Sequence, residues 1–158
     1  MMIARFAFAA SLFLALPLSL LSQSSSALYN DCRPIFVTTA LFTPYQDMEK
    51  ETDQWESDFN KGTRSLLRNS KILLDRELNI ENGVLTVEVT SLHNSIHCRV
   101  SFAKLATDEF GNLVPASTWH AKGFRPYKIG TVDSARMIKS LVQEFITEYL
   151  ESNRVCSR

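Results

Sequence analysis

The three histidines of the chain, His93, His97 and His120, come closest to residues that could carry out chemistry. Imidazole nitrogens bind Zn²⁺ and Cu²⁺, and a carboxylate such as that of Glu88 can complete a set of ligands. If the strand that holds His97 pairs with the strand that holds His120, both imidazoles lie on one polar face of a sheet. An exported metal-binding protein using these residues is therefore one hypothesis, although their spacing matches no known metal motif.

Cys98 follows His97 directly and invites comparison with the Cys–His pair of thiol hydrolases. Successive side chains of a strand point to opposite faces, so this neighbour cannot activate the thiol. The alternation of residues 96–102 places Cys98 in an apolar row, where a thiol is inert. A small Cys-dependent hydrolase needs another base and remains a third hypothesis. The sequence contains no Gly-rich phosphate loop, no G-x-S-x-G and no H-E-x-x-H.

Residues 117–127 form a second candidate site, in which aromatic and basic side chains alternate. Aromatic residues and arginine on an edge strand suit recognition of a protein or peptide by strand addition. Pro115, just before this stretch, is typical of an edge strand or a bulge. The alternative is that Trp119 and Phe124 belong to the core and the basic residues are solvated around them. The candidate binding residues are Trp119, His120, Lys122, Phe124, Arg125 and Tyr127.

Hydrophobic periodicity predicts the elements that must position these residues. Residues 35–42 are apolar on both faces, which predicts a central, fully buried strand. Residues 85–89 and 96–102 alternate between apolar and polar, which predicts an antiparallel hairpin with one wet face. The remaining predictions are a helix over 47–69, a weak strand over 72–80 followed by a hairpin turn at 81–83, a turn at 108–112, a strand over 117–124 and a helix over 134–153.

These elements predict an α+β fold: a mainly antiparallel sheet of four or five strands with two helices packed on one face, in the order β-α-β-β-β-α. We expect residues 28–158 to form a single globular domain.

Residues 1–27 have the layout of a cleaved secretory signal peptide. Arg5 precedes a sixteen-residue apolar run over 6–21, and the small residues Ser25 and Ala27 stand before the predicted cleavage. A run of that length is too short to span a bilayer, which takes about 20 apolar residues. The predicted location is therefore secreted or periplasmic, without a membrane span after cleavage.

The three cysteines, Cys32, Cys98 and Cys156, would then meet an oxidising compartment, where at most two of them pair within one chain. Cys32 and Cys156 flank the predicted domain, and domain ends are often close together. We predict a disulfide bond between them, with Cys98 left as a buried thiol.

The charge balance excludes one class of partner. The chain has 17 basic and 17 acidic residues, so it lacks the basic surface that nucleic acid requires. With an export signal and no catalytic constellation, the sequence predicts a non-enzymatic binding or assembly-accessory protein that engages a protein partner and needs no cofactor. Binding of Zn²⁺ or Cu²⁺ by the histidines remains the alternative.

Overall fold

A computed structural model describes residues 27–43, 49–92, 95–126 and 131–154. The elements are β1 (Phe36–Phe42), α1 (Glu49–Asn69), β2 (Val84–Leu92), β3 (Ser95–Thr107), β4 (Leu113–Pro126) and α2 (Thr131–Ser152). The four strands form one sheet in the order β1-β2-β3-β4. The predicted α+β class is confirmed. The predicted signal peptide lies outside the described residues, apart from Ala27.

The sheet is mixed, and the prediction of a mainly antiparallel sheet is wrong. β1 runs parallel to β2, whereas β2 pairs with β3 and β3 with β4 in antiparallel fashion. The parallel pair follows from the connection: α1 carries the chain back along the sheet, so the next strand starts from the same end as β1. Residue alternation reports which side chains share a face but not the direction of the neighbouring strand.

β1 was expected at the centre of the sheet but lies at its edge. Val37 and Thr39 are buried beneath the helices, while Phe36 and Thr38 on the other face are only half-buried. Phe42, the last residue of β1, is 54% exposed. An apolar strand is therefore not buried on both faces here, because no described element covers its second face.

The weak strand predicted over 72–80 does not form, and the segment contributes only an isolated bridge between Ile35 and Leu74. The turn predicted at its end does form: Gly83 donates its N–H to the carbonyl of Ile80 and has φ +97°. This turn leads into β2 and does not close a hairpin, because the preceding segment has no strand to pair.

Both helices pack on the same face of the sheet and on each other. β2 and β3 contribute alternate residues to the core, among them Val87, Val100 and Phe102. The predicted apolar stripe of α2 is confirmed, since Leu141 and Phe145 are buried against these strands. The side chains of the intervening strand residues lie on the second face of the sheet, opposite the helices.

A buried polar cluster joins the two ends of the described chain. The Asn153 side chain accepts the N–H of Asn30 at 3.2 Å and donates to the carbonyl of Leu28 at 2.9 Å. Tyr149 donates its hydroxyl to the Asn30 side chain at 2.6 Å. We call Leu28, Asn30, Tyr149 and Asn153 the end cluster. It holds the first residues of the domain against the end of α2.

Candidate functional site: the open face of the sheet

The face of the sheet opposite the helices, here called the open face, is not covered by any element of the described chain. Its side chains come from alternate residues of all four strands; Val84 at the start of β2 is buried, and the other described ones are half-buried or exposed. The register places the following residues on this face: Thr38, Ala40, Phe42, Thr86, Glu88, Thr90, Leu92, His97, Arg99, Ser101, His120, Lys122 and Phe124.

An aromatic row crosses the open face near one end of the sheet. The register aligns Phe42, Thr90, His97 and Phe124 across the four strands. The ring centroids of His97 and Phe124 are 4.8 Å apart, at an interplanar angle of 53°. Phe124 is 60% exposed, so the row offers apolar rings to solvent at both sheet edges. An imidazole nitrogen of His97 also lies 3.2 Å from the hydroxyl of Ser95.

A charged row lies beside the aromatic row and consists of Glu88, Arg99 and Lys122. Glu88 and Arg99 form an ion pair at 3.7 Å. Lys122 stands opposite Arg99 on the other side and takes part in none of the ion pairs found among the described residues. The two rows together line a shallow depression of about 520 Å³. This surface therefore combines exposed rings with a net positive charge.

The structure does not bring together the two described histidines of the predicted metal site. His97 pairs with Phe124, whereas His120 pairs with Ser101, four residues farther along β3. At about 3.3 Å per residue, the two histidine backbones are separated by about 13 Å along the strand. No group of three or more His, Cys, Asp or Glu among the described residues could hold a metal ion. His93 lies outside the described residues.

The predicted binding residues of β4 divide between the two faces. His120, Lys122 and Phe124 lie on the open face, as the inward direction of Ala121 requires. Trp119 lies on the helix side, where its ring packs on Phe145 at 5.3 Å and its indole N–H donates to Glu148 at 2.8 Å.

The alternative interpretation, in which both aromatic residues of β4 belong to the core, is therefore correct for Trp119 and wrong for Phe124. Arg125 is exposed opposite Ile96 near the end of the strand. Tyr127 lies outside the described residues.

Close packing places α2 behind this part of β4. A Cβ atom added to Gly123 would lie 2.4 Å from the sulfur of Met137 and 3.6 Å from Leu141. Gly123 thus lets α2 approach the strand on the helix side, opposite the face that carries Lys122 and Phe124.

Cys98 lies beneath the open face and is 2% exposed. Burial raises the pKa of its thiol to about 11. The thiol therefore stays protonated at neutral pH, and a thiol is a poor nucleophile compared with a thiolate. This environment gives no support to a hydrolase that uses Cys98.

Sequence reasoning missed Phe42 and Arg99 as parts of this surface. Phe42 was assigned to a buried strand because its neighbours are apolar, and only the edge position of β1 exposes it. Arg99 was assigned correctly to the wet face of a strand, but only the register places it between Glu88 and Lys122. No local sequence signal marks either residue.

Comparison with known proteins reveals no family and only weak structural similarities. No protein-family model matches the chain, and no curated protein matches it. A crystal structure of an uncharacterized protein has a TM-score of 0.27 and 14% identity, over 82% of this chain and 94% of the other. Rare lipoprotein B from Shewanella oneidensis has a TM-score of 0.23 and 13% identity, over 77% of this chain and 91% of the other. Neither similarity supports a conclusion about location or function.

Neither of the described helices is long and apolar enough to cross a bilayer.

Proposed function

We propose that this protein is an exported, non-enzymatic binding protein whose open face engages a protein partner. The observation that carries the proposal is the aromatic row, in which Phe42 and Phe124 are 54% and 60% exposed on one face of the sheet. Isolated exposed apolar residues are common, but aromatic side chains gathered on one uncovered face are typical of an interaction surface. Aromatic residues and arginine are also the types that dominate the centres of protein interfaces.

The composition of the surface favours a protein over other partners. Leu92 extends the apolar part beyond the aromatic row, while the ion pair of Glu88 with Arg99 supplies polar groups beside it. Interfaces between proteins commonly place apolar residues next to polar ones in this way. Export is supported by the predicted signal peptide over residues 1–27.

The experiment compares the double variant Phe42→Ser/Phe124→Ser with the unaltered protein, each produced in its own host. A photo-crosslinking residue at position 90, between the two rings, should join the unaltered protein to a partner. We expect the double variant to lose most of that crosslinked product, because both exposed rings are removed. Phe110→Ser is the matched control, since Phe110 is 80% exposed at the β3–β4 turn.

An unchanged product in the double variant, or an equal loss in Phe110→Ser, would contradict the proposal. Thermal unfolding of each variant shows whether the fold is retained.

A further inference from the structure

β4 is a long edge strand. It has 14 residues, pairs with β3 on one side and has no strand on its other side within the described chain. Exposed strand edges carry unpaired N–H and C=O groups that can accept another strand. The chemistry of the β4 edge therefore depends on which residues direct their backbone groups outward.

The hydrogen-bond pattern identifies those residues. Phe36 donates its N–H to the carbonyl of Gly83 at 3.0 Å. In β2, every second residue counted from Leu85 therefore directs its backbone N–H and C=O groups toward β1, and the residues between them direct theirs toward β3. The registers of β2 with β3 and of β3 with β4 extend this alternation to β4, where Ala121 directs its backbone N–H and C=O groups toward β3. His120, Lys122 and Phe124 consequently direct their N–H and C=O groups to the free edge.

The prolines of β4 agree with this assignment. The register shifts by one residue at Thr118, so Pro115 and Pro126 both fall on positions that face the free edge. A proline lacks the N–H group and is tolerated in a strand at such positions. Between Thr118 and Pro126 the edge thus offers three outward residues, each with one donor and one acceptor.

The charge of this edge is positive. β4 contains no Asp or Glu, whereas it contains Lys122 and Arg125. Lys122 faces Arg99 across the strand pair, and like charges directly opposite each other are destabilising. A carboxylate on a strand added beside β4 would give Lys122 an oppositely charged neighbour. A second copy of β4 would instead bring further positive charge.

We infer that the β4 edge binds an extended acidic segment of the protein partner as a fifth strand of the sheet. A carboxylate of that segment lies beside Lys122, and an apolar side chain lies beside Phe124 on the open face. The backbone groups of residues 120–124 supply hydrogen bonds, and the side chains supply selectivity. The inference rests on the proposed function and specifies the chemistry of the partner.

The first experiment uses two fluorescent peptides of equal length, one alternating valine with glutamate and the other alternating valine with lysine. We expect fluorescence polarisation to show saturable binding of the glutamate peptide and at least tenfold weaker binding of the lysine peptide. Lys122→Glu should reverse the preference, and added salt should weaken the binding. Equal binding of both peptides, or no binding of the glutamate peptide, would overturn the inference.

The second experiment separates backbone pairing from charge. Lys122→Pro and Lys122→Ala both remove the ammonium group, but only the proline also removes an outward N–H. We expect Lys122→Pro to bind the glutamate peptide several-fold more weakly than Lys122→Ala, with thermal unfolding confirming that both variants fold. Equal affinity of the two variants would overturn strand addition.

The partner captured by crosslinking distinguishes the two proposals. If it is lost with Phe42→Ser/Phe124→Ser but kept with Lys122→Pro, the proposed function stands and strand addition is wrong. If the double variant keeps it, the proposed function fails whatever the peptides show. If the protein is a dimer that only Lys122→Pro converts to a monomer, a second copy occupies the edge and the inference is overturned.

Discussion

At the scale of single residues, the end cluster shows how one buried amide joins distant parts of the chain. Asn153 is fully buried, and besides its bonds to Leu28 and Asn30 its side-chain amide donates to the carbonyl of Tyr149 at 2.9 Å. Removal of the amide would leave buried groups of Leu28 and Asn30 without these partners, and each unsatisfied group costs about 1–3 kcal/mol. Asn153 therefore holds the start of the domain in place.

We expect Asn153→Ala to lower the free energy of unfolding by about 2–4 kcal/mol, because two buried backbone groups lose their partners. Urea unfolding followed by circular dichroism measures the change. Gln143→Ala, at an exposed position of the same helix, should change the value by no more than about 0.5 kcal/mol. Similar values for the two variants would show that the end cluster does not stabilise the fold.

The Cys98 thiol gives the protein a defined response to alkaline pH. Its pKa is about 11 in the folded protein, against an ordinary value of 9.0, so the folded state keeps a proton that the unfolded chain releases. The stabilisation is fully present below pH 9 and is lost as the pH rises toward 11, at no more than about 1.4 kcal/mol per pH unit. Burial also raises the pKa of Tyr149 to about 12, which extends the same trend.

The test is the free energy of unfolding measured at several pH values between 9 and 11. Cys98→Ala should show a shallower fall over this range than the unaltered protein, whatever its stability at neutral pH. Identical slopes would contradict the assignment to Cys98.

At the scale of elements, two glycines show that the same substitution has opposite effects in different places. A Cβ atom at Gly83 would lie 2.3 Å from the ring of Phe102, and φ is +97° at this position. Gly62 lies within α1, and a Cβ atom there would meet nothing within 4 Å. Gly83 is therefore required by the turn into β2, whereas Gly62 only weakens its helix.

We expect Gly83→Ala to lower the free energy of unfolding by at least about 2 kcal/mol, since both the backbone and the Phe102 ring must move. Gly62→Ala should raise it by about 0.5–1 kcal/mol, because alanine favours the helix. Thermal unfolding of the two variants side by side measures both effects. A stabilising Gly83→Ala would show that the turn tolerates a side chain.

The elements themselves were largely predictable, because each follows from local periodicity. The alternation of residues 96–102 and the stripe over Leu141 and Phe145 correctly predicted β3 and α2. The failures concern segments without a clear period: residues 72–80 form no strand, and the apolar run of β1 does not lie at the sheet centre. An apolar run indicates that burial of its side chains is favourable, but it does not indicate which neighbouring segments bury them.

At the scale of the whole molecule, the end cluster brings the two ends of the domain together. Asn30 and Asn153 are hydrogen-bonded, and they lie two and three residues from Cys32 and Cys156 respectively. Cys156 is outside the described residues, so the predicted disulfide remains a prediction that this proximity supports. Cys98, by contrast, is a buried free thiol.

We expect the protein from its own host to have an intact mass that begins near Leu28 and to show one alkylatable thiol after unfolding. Reduction of the disulfide should then lower the free energy of unfolding by about 4–5 kcal/mol, because the bond closes a loop of nearly the whole domain. A full-length mass, or three alkylatable thiols without reductant, would contradict export and the disulfide.

By itself the sequence determined the α+β class, the helical and alternating patterns, and the position of His97 and Arg99 on a polar strand face. These properties depend on residues that are neighbours along the chain. Only the tertiary structure decided that β1 is parallel to β2, that β1 lies at a sheet edge, and that Phe42 shares a row with Phe124. The physical reason is that strand order and register arise from pairing between distant segments, which local periodicity does not encode.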